Sequence, residues 1–124
     1  MKVLALDYGS ARTGVAVSDP TGTVARPVTT VERITTEAGF AQLLALIAGE
    51  EPGVVVVGMP LTLRGDHGEQ ARETAEFVER LRGVLSTPVE TYDERFTSVL
   101  AEGDDARAAA HLLSSYLDWQ STRR

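Results

Sequence analysis

Along the first thirty residues the apolar runs are short and are broken by turn-forming residues. Val3–Leu6, Thr13–Val17 and Val24–Val31 are β-favouring stretches separated by Gly, Ser, Pro and Asp. Tyr8-Gly9-Ser10 and Asp19-Pro20-Thr21-Gly22 supply hairpin turn chemistry, and such short connections make a three-stranded antiparallel meander. From Thr35 the period changes. Phe40, Leu43, Leu44 and Ile47 recur at helical spacing after a threonine cap, and Gly49, Pro52 and Gly53 are expected to end that helix.

Val54–Val57 followed by Gly58 is a continuous apolar run, as a strand covered on both faces requires, and is expected to lie parallel to the first strand. Asp66 and Glu69 have capping-box spacing for a second helix, with Ala71, Ala75, Val78, Leu81 and Leu85 as its core stripe and Glu76 with Arg80 as an outer i,i+4 pair. Pro88–Tyr92 reads as the last strand. Beyond Phe96 the chain turns helical, with a final stripe of Ala108, Ala109, Leu112, Leu113, Tyr116 and Leu117. The order is βββαβαβα. A meander followed by right-handed βαβ crossovers gives an α/β fold, a mixed five-stranded sheet with helices on its faces.

The length of 124 residues suits one domain spanning 1–124. Cysteine is absent, so disulfides, thiolate metal sites and cysteine nucleophiles are excluded, and any metal must be held by oxygen or imidazole. The N-terminus carries no export-signal pattern and no apolar stretch is long enough to span a bilayer, so a soluble, cytoplasmic protein without membrane partners is expected. A net charge of −6 argues against a broadly basic, nucleic-acid-coating surface. The cations are arginines apart from Lys2, however, and a guanidinium fork suits local phosphate contacts.

Three acidic positions stand where elements change. Asp7 ends the first strand beside a tight turn. It reads equally as a turn-capping residue and as a ligand at the carboxyl edge of an α/β sheet. Asp93-Glu94-Arg95 closes the last strand, either as a solvated cluster capping the next helix or as a second ligand position, and spacing alone does not separate the neighbours. Asp105 shares the face of the last helix that carries Ala109 and Leu112, which suits a simple cap less well than it suits Asp104. The topology would bring Asp7, Glu94 and Asp105 to one sheet edge. Neighbouring carboxylates there are costly unless a hard cation such as Mg²⁺ or Mn²⁺ compensates them, and such a cation also supports phosphodiester hydrolysis by water. Arg12, Arg64 and Arg95 are the expected phosphate contacts. The polar stretch Thr62–Gly68 reads as a substrate-facing loop or an ordinary connection. His67 and His111 lack metal-ligand spacing, and Gly9 and Gly14 match neither the P-loop nor the dinucleotide pattern.

Four segments in order resemble one family, the YqgF-type pre-16S rRNA nucleases, also described as Holliday junction resolvase-like proteins. They are Leu4–Gly9 with Thr13–Asp19, Val56–Leu61, Tyr92–Thr97, and Asp105–Ala109 with Leu112–Leu117. The resemblance implies an RNase H-like fold, a cytoplasmic metal-dependent nuclease maturing the 5′ end of 16S rRNA, and Asp7, Glu94 and Asp105 as its active site. It also implies a nucleic-acid partner: precursor rRNA, single-stranded RNA or branched DNA, bound by a monomer or a homodimer. One departure accompanies it. Between Thr97 and Asp105 the family carries a longer helix and basic loop, whereas here only Ser98–Asp104 intervene. Two further readings compete: a non-catalytic RNA-binding ribosome-assembly factor, and a phosphate-binding half of an actin-like or sugar-kinase-like protein.

Overall fold

A computed structural model describes residues 1–60, 68–93 and 105–122. Its elements are β1 (Val3–Asp7), β2 (Arg12–Ser18), β3 (Ala25–Glu32), α1 (Glu37–Glu50), β4 (Val54–Met59), α2 (Glu69–Val84), β5 (Val89–Asp93) and α3 (Asp105–Thr122), in the expected βββαβαβα order. The five-stranded sheet runs β3-β2-β1-β4-β5. β1, β2 and β3 form the antiparallel meander, while β4 lies parallel to β1 and β5 parallel to β4. No helix among the described residues is long and apolar enough to cross a membrane.

Strand alternation divides the core into two layers. Leu4, Leu6, Tyr8, Val15 and Val17 face α1 and α2, where Phe40, Leu43, Phe77 and Leu81 pack on them. Val3, Ala5 and Ala16 face α3 and meet Ala109, Leu112, Leu113 and Tyr116. The Val54–Val57 run is buried throughout because α-helices cover both faces of the sheet there.

The threonine cap expected for α1 is Thr36, whose hydroxyl accepts the Gly39 N–H at 3.1 Å. Other local expectations are corrected. Gly49 does not end this helix. Helix α1 continues through Glu50 and closes on Glu51, which takes the left-handed conformation at φ 49° ahead of Pro52. Helix α2 is capped by Gly68 without a side-chain bond, so Asp66, outside the described residues, is not its N-cap. Its buried stripe is Ala71, Thr74, Phe77, Val78 and Leu81, while Ala75 and Leu85 are half-buried. Thr74 tolerates that face because its hydroxyl donates to the Gln70 carbonyl at 2.8 Å. Arg80 does not pair with Glu76. Its guanidinium lies 3.8 Å over the Phe40 ring and donates to the Thr35 carbonyl at 3.2 Å.

The β2–β3 connection is organised by Asp19. Its carboxylate accepts the N–H groups of Thr23 and Val24, each at 2.8 Å, and the hydroxyl of Thr21. The Thr21 hydroxyl, then the backbone donors, hold the Asp19 carboxyl well below the usual carboxylate range. A depressed folded-state value means that this contribution to stability is present above about pH 4 and fades as pH falls further toward the folded-state value. Asp19→Ala is therefore expected to melt below the parent at neutral pH. The gap should narrow as acid is added below about pH 4, which thermal melts across pH will check.

Candidate functional site

Because β1, β4 and β5 are mutually parallel, their carboxyl ends share one edge of the sheet, where Asp7, Met59 and Asp93 are the last strand residues. The alternation that sends Leu6 and Tyr8 toward α1 and α2 sends Asp7 to the α3 side. Asp7 stands opposite Gly14 in the β1–β2 ladder. Gly14 is where α3 begins: a Cβ built on Gly14 would lie 1.7 Å from the Asp105 carbonyl oxygen and 2.3 Å from its carbon. The first residue of α3 thus rests on the β2 backbone beside Asp7, and two acids far apart in sequence become neighbours across a glycine.

Arg12, two residues before Gly14 on β2, shares that face and sends its Nε to the Asp105 carboxylate at 3.2 Å. Side-chain exposures of 57% for Arg12 and 29% for Asp105 leave this ion pair open to solvent and to ligands. Asp7 is half-buried. The β1–β2 turn behind them is fixed by buried Thr13, whose hydroxyl donates to the Gly9 carbonyl at 3.0 Å and accepts its N–H at 3.4 Å.

Of the expected site residues, Asp7, Arg12 and Asp105 are brought together here. Glu94, Arg64 and Arg95 lie outside the described residues, as do His67 and most of Thr62–Gly68. Among the described residues no group of three acidic or imidazole side chains forms a metal-binding cluster. Arg12 was expected against phosphate and is found neutralising Asp105. Gly14 escaped the sequence reading as a contact point: there it stands inside the second strand and is weighed only against phosphate-binding patterns. Its alternation with Val15 and Val17 was the available signal that a backbone must approach closely on one face.

Comparison with known proteins adds independent information. A family model described as "RuvX: Holliday junction resolvase" matches residues 1–119. A Chloroflexus aggregans protein named "Putative pre-16S rRNA nuclease" is 48% identical over 100 residues, covering 81% of this chain and 70% of that protein. A Chloroflexus aurantiacus protein of the same name is matched over 65% of its own length, at 46% identity and 81% of this chain. One from a Sulfurihydrogenibium species is 40% identical, covering 94% of this chain and 90% of its own. Among solved structures, Thermus thermophilus RuvC has a TM-score of 0.55 at 16% identity, covering 98% of this chain and 97% of that one. The same protein in complex with a Holliday junction gives 0.56 at 17% identity, covering 98% and 96%. These likenesses establish the fold as that of the RNase H-like resolvases.

The seating of α3 on β2 is open to direct test. Gly14→Ala is expected to lower stability by about 1–3 kcal/mol in urea unfolding, since backbone rather than a flexible side-chain end blocks the new methyl group. Gly49→Ala, at a helical position where the methyl group meets nothing within 4 Å, should instead stabilise by about 0.5–1 kcal/mol. With the carboxyl-edge acids on an RNase H-like sheet, a family model matched across residues 1–119 and relatives up to 48% identical, the chain belongs to the RuvX family of Holliday junction resolvase-like proteins.

Proposed function

We propose that this protein is a divalent-metal-dependent nuclease that cleaves a nucleic-acid phosphodiester at the carboxyl edge of β1, β4 and β5, with maturation of the 5′ end of 16S rRNA in the cytoplasm as its task. The observation carrying this reading is the contact of Asp105 with Gly14, which sets a second carboxylate beside Asp7 on the α3 face. Relatives named for pre-16S rRNA support the choice of substrate. The family description and the RuvC likeness make branched DNA the second substrate to test.

The donor set suits a hard cation. Asp7 and Asp105 offer carboxylate oxygens, no thiol exists in the chain, and Glu94 directly follows Asp93, the last residue of β5. Asp7, Asp105 and Glu94 would hold Mg²⁺ or Mn²⁺. Bound there, such an ion supplies Lewis acidity toward a phosphoryl oxygen and lowers the pKa of water. The chain's own residues do the rest. Asp7 is fixed by its ladder position opposite Gly14, so it orients whatever approaches the edge. Asp105 is held by the packing of α3, and its negative charge is offset by Arg12. Arg12, more than half exposed, offers N–H donors to an approaching phosphate, in a protein whose net charge of −6 gives little general attraction for nucleic acid. Arg64 and Arg95 are proposed as further phosphate contacts. A four-way junction cut symmetrically would need two copies of this site, whereas trimming an RNA end needs one.

Labelled single-stranded RNA, precursor 16S rRNA and a four-way DNA junction, each incubated with Mg²⁺, Mn²⁺ or EDTA, will test the reading. Metal-dependent cutting is expected to fall more than about 100-fold in Asp7→Asn and in Asp105→Asn. Absence of cutting on every substrate by folded protein would favour an RNA-binding assembly factor instead. Arg12→Ala, which removes a solvent-exposed ion pair, should change stability by less than about 1 kcal/mol. It should nevertheless weaken substrate binding and reduce its salt dependence, as read by binding titrations across ionic strength.

A further inference from the structure

The strand that presents Asp7 on one face presents Tyr8 on the other, and Tyr8 borders a cleft of about 390 Å³ between β1 and α2. The residues that matter there are Tyr8, Ser10, Glu73, Glu76, Phe77 and Arg80. Tyr8 is only 7% exposed, yet among the described residues its hydroxyl has no hydrogen-bond partner. Buried phenol groups ordinarily find one. Its ring packs against Phe77 with centroids 4.8 Å apart, which fixes it as a rigid wall. Glu73 and Glu76 likewise lack a cationic partner among the described residues, because Arg80 is committed to the Phe40 ring and the Thr35 carbonyl.

We propose that this cleft is a subsite for an unpaired nucleobase next to the cleaved phosphodiester, with guanine as the preferred base. The volume lies within the range of small-molecule sites. Two carboxylates repel a phosphate, so a base rather than the backbone enters. Carboxylates accept hydrogen bonds and cannot donate them, so the ligand must bring N–H groups. Guanine's pairing edge carries two adjacent N–H donors that match the two oxygens of one carboxylate. Adenine and cytosine carry an amino group beside an acceptor, and uracil a single N–H flanked by carbonyls. The free Tyr8 hydroxyl can donate to a base carbonyl oxygen, which guanine also has. A phenol is neutral at physiological pH and so able to donate. Asp7 and Tyr8 are consecutive, so a strand crossing the β1–β2 turn reaches both faces within neighbouring nucleotides. That last step rests on the nuclease reading; the recognition of the base does not.

The test separates the two. The full chain labelled with ¹⁵N is titrated, without metal, with guanosine, 1-methylguanosine, adenosine, cytidine and uridine. Guanosine should shift the Tyr8, Glu76 and Phe77 amides most, and 1-methylguanosine, which lacks one donor, should bind about tenfold more weakly. Glu73→Gln, Glu76→Gln and Tyr8→Phe should weaken guanosine binding, while Asp7→Asn should leave it intact. In cleavage of RNAs carrying one guanine at a moved position, the cut should follow the guanine with the parent. With the Glu→Gln variants cutting should persist without that preference. Guanosine binding in a protein that cuts nothing would sustain the subsite and sink only the nuclease reading. Indifference of the folded protein to all nucleosides would overturn the proposal, as would equal shifts from Mg²⁺ or spermidine alone, which would make the carboxylates a cation site.

Discussion

The close seating of helix α3 on the meander is the constraint from which the rest of the site follows. On β1 and β2 the residues facing α1 and α2 are large, namely Leu4, Leu6, Val15 and Val17, whereas those facing α3 include, beyond Val3 at the start of β1, the small Ala5, Gly14 and Ala16. Ala109 answers them from the helix. Small side chains on both partners let the helix axis come close, and at Gly14 the approach is so tight that backbone touches backbone. The asymmetry of the two layers therefore decides where Asp105 sits. A helix held off by side chains of ordinary size would leave Asp105 out of reach of Asp7.

That seating also sets the electrostatics of the edge. Two carboxylates on one face repel one another, and deep burial would raise that cost steeply. Here both stay partly open to water, and Arg12 compensates Asp105 from the neighbouring strand. The ion pair contributes little to stability at such exposure, so exchanging it for another positive group costs little as well. On the opposite face the same strand end places a buried phenol in a cleft that Glu73, Glu76 and Arg80 also line. One turn, residues 8 to 11, thus separates the Asp7 and Asp105 face from the face of the Tyr8 cleft.

How much of this could be read from the chain depends on the range over which each feature is encoded. The meander, the buried Val54–Val57 strand and the parallel crossovers came from local runs and short turns, and they stand as expected. The ends of helices were less legible, because Glu51 and Gly68 act as caps without side-chain signatures. Phe77 and Thr74 were missed on α2, since one apolar stripe drawn through Ala75 already satisfied the period and a threonine reads as polar until its hydroxyl is seen bonded to Gln70. The seating of Asp105 on Gly14, the ladder partner of Asp7, is a tertiary fact. Each acid was visible at an element boundary, but their proximity depends on a glycine whose role appears only once β2 has a helix above it.

The short stretch before α3 fits the same logic. The alignment with an Oleidesulfovibrio alaskensis relative, 37% identical, runs 139 positions against the 124 residues of this chain, so that protein carries residues missing here. By the resemblance noted from sequence, the expected place of that shortfall is between Thr97 and Asp105. If that connection positioned Asp105, its loss would matter greatly. But α3 is held by its own contacts: Leu112 and Leu113 in the layer with Ala5 and Ala16, Tyr116 edge-on to Tyr92, and the Tyr92 hydroxyl 2.8 Å from that of Ser115. These fix the helix from its middle and far end, and Gly14 fixes where it begins. The acid at its first residue is consequently placed by packing downstream of it, so the preceding connection is free to differ in length among relatives without moving the carboxylate.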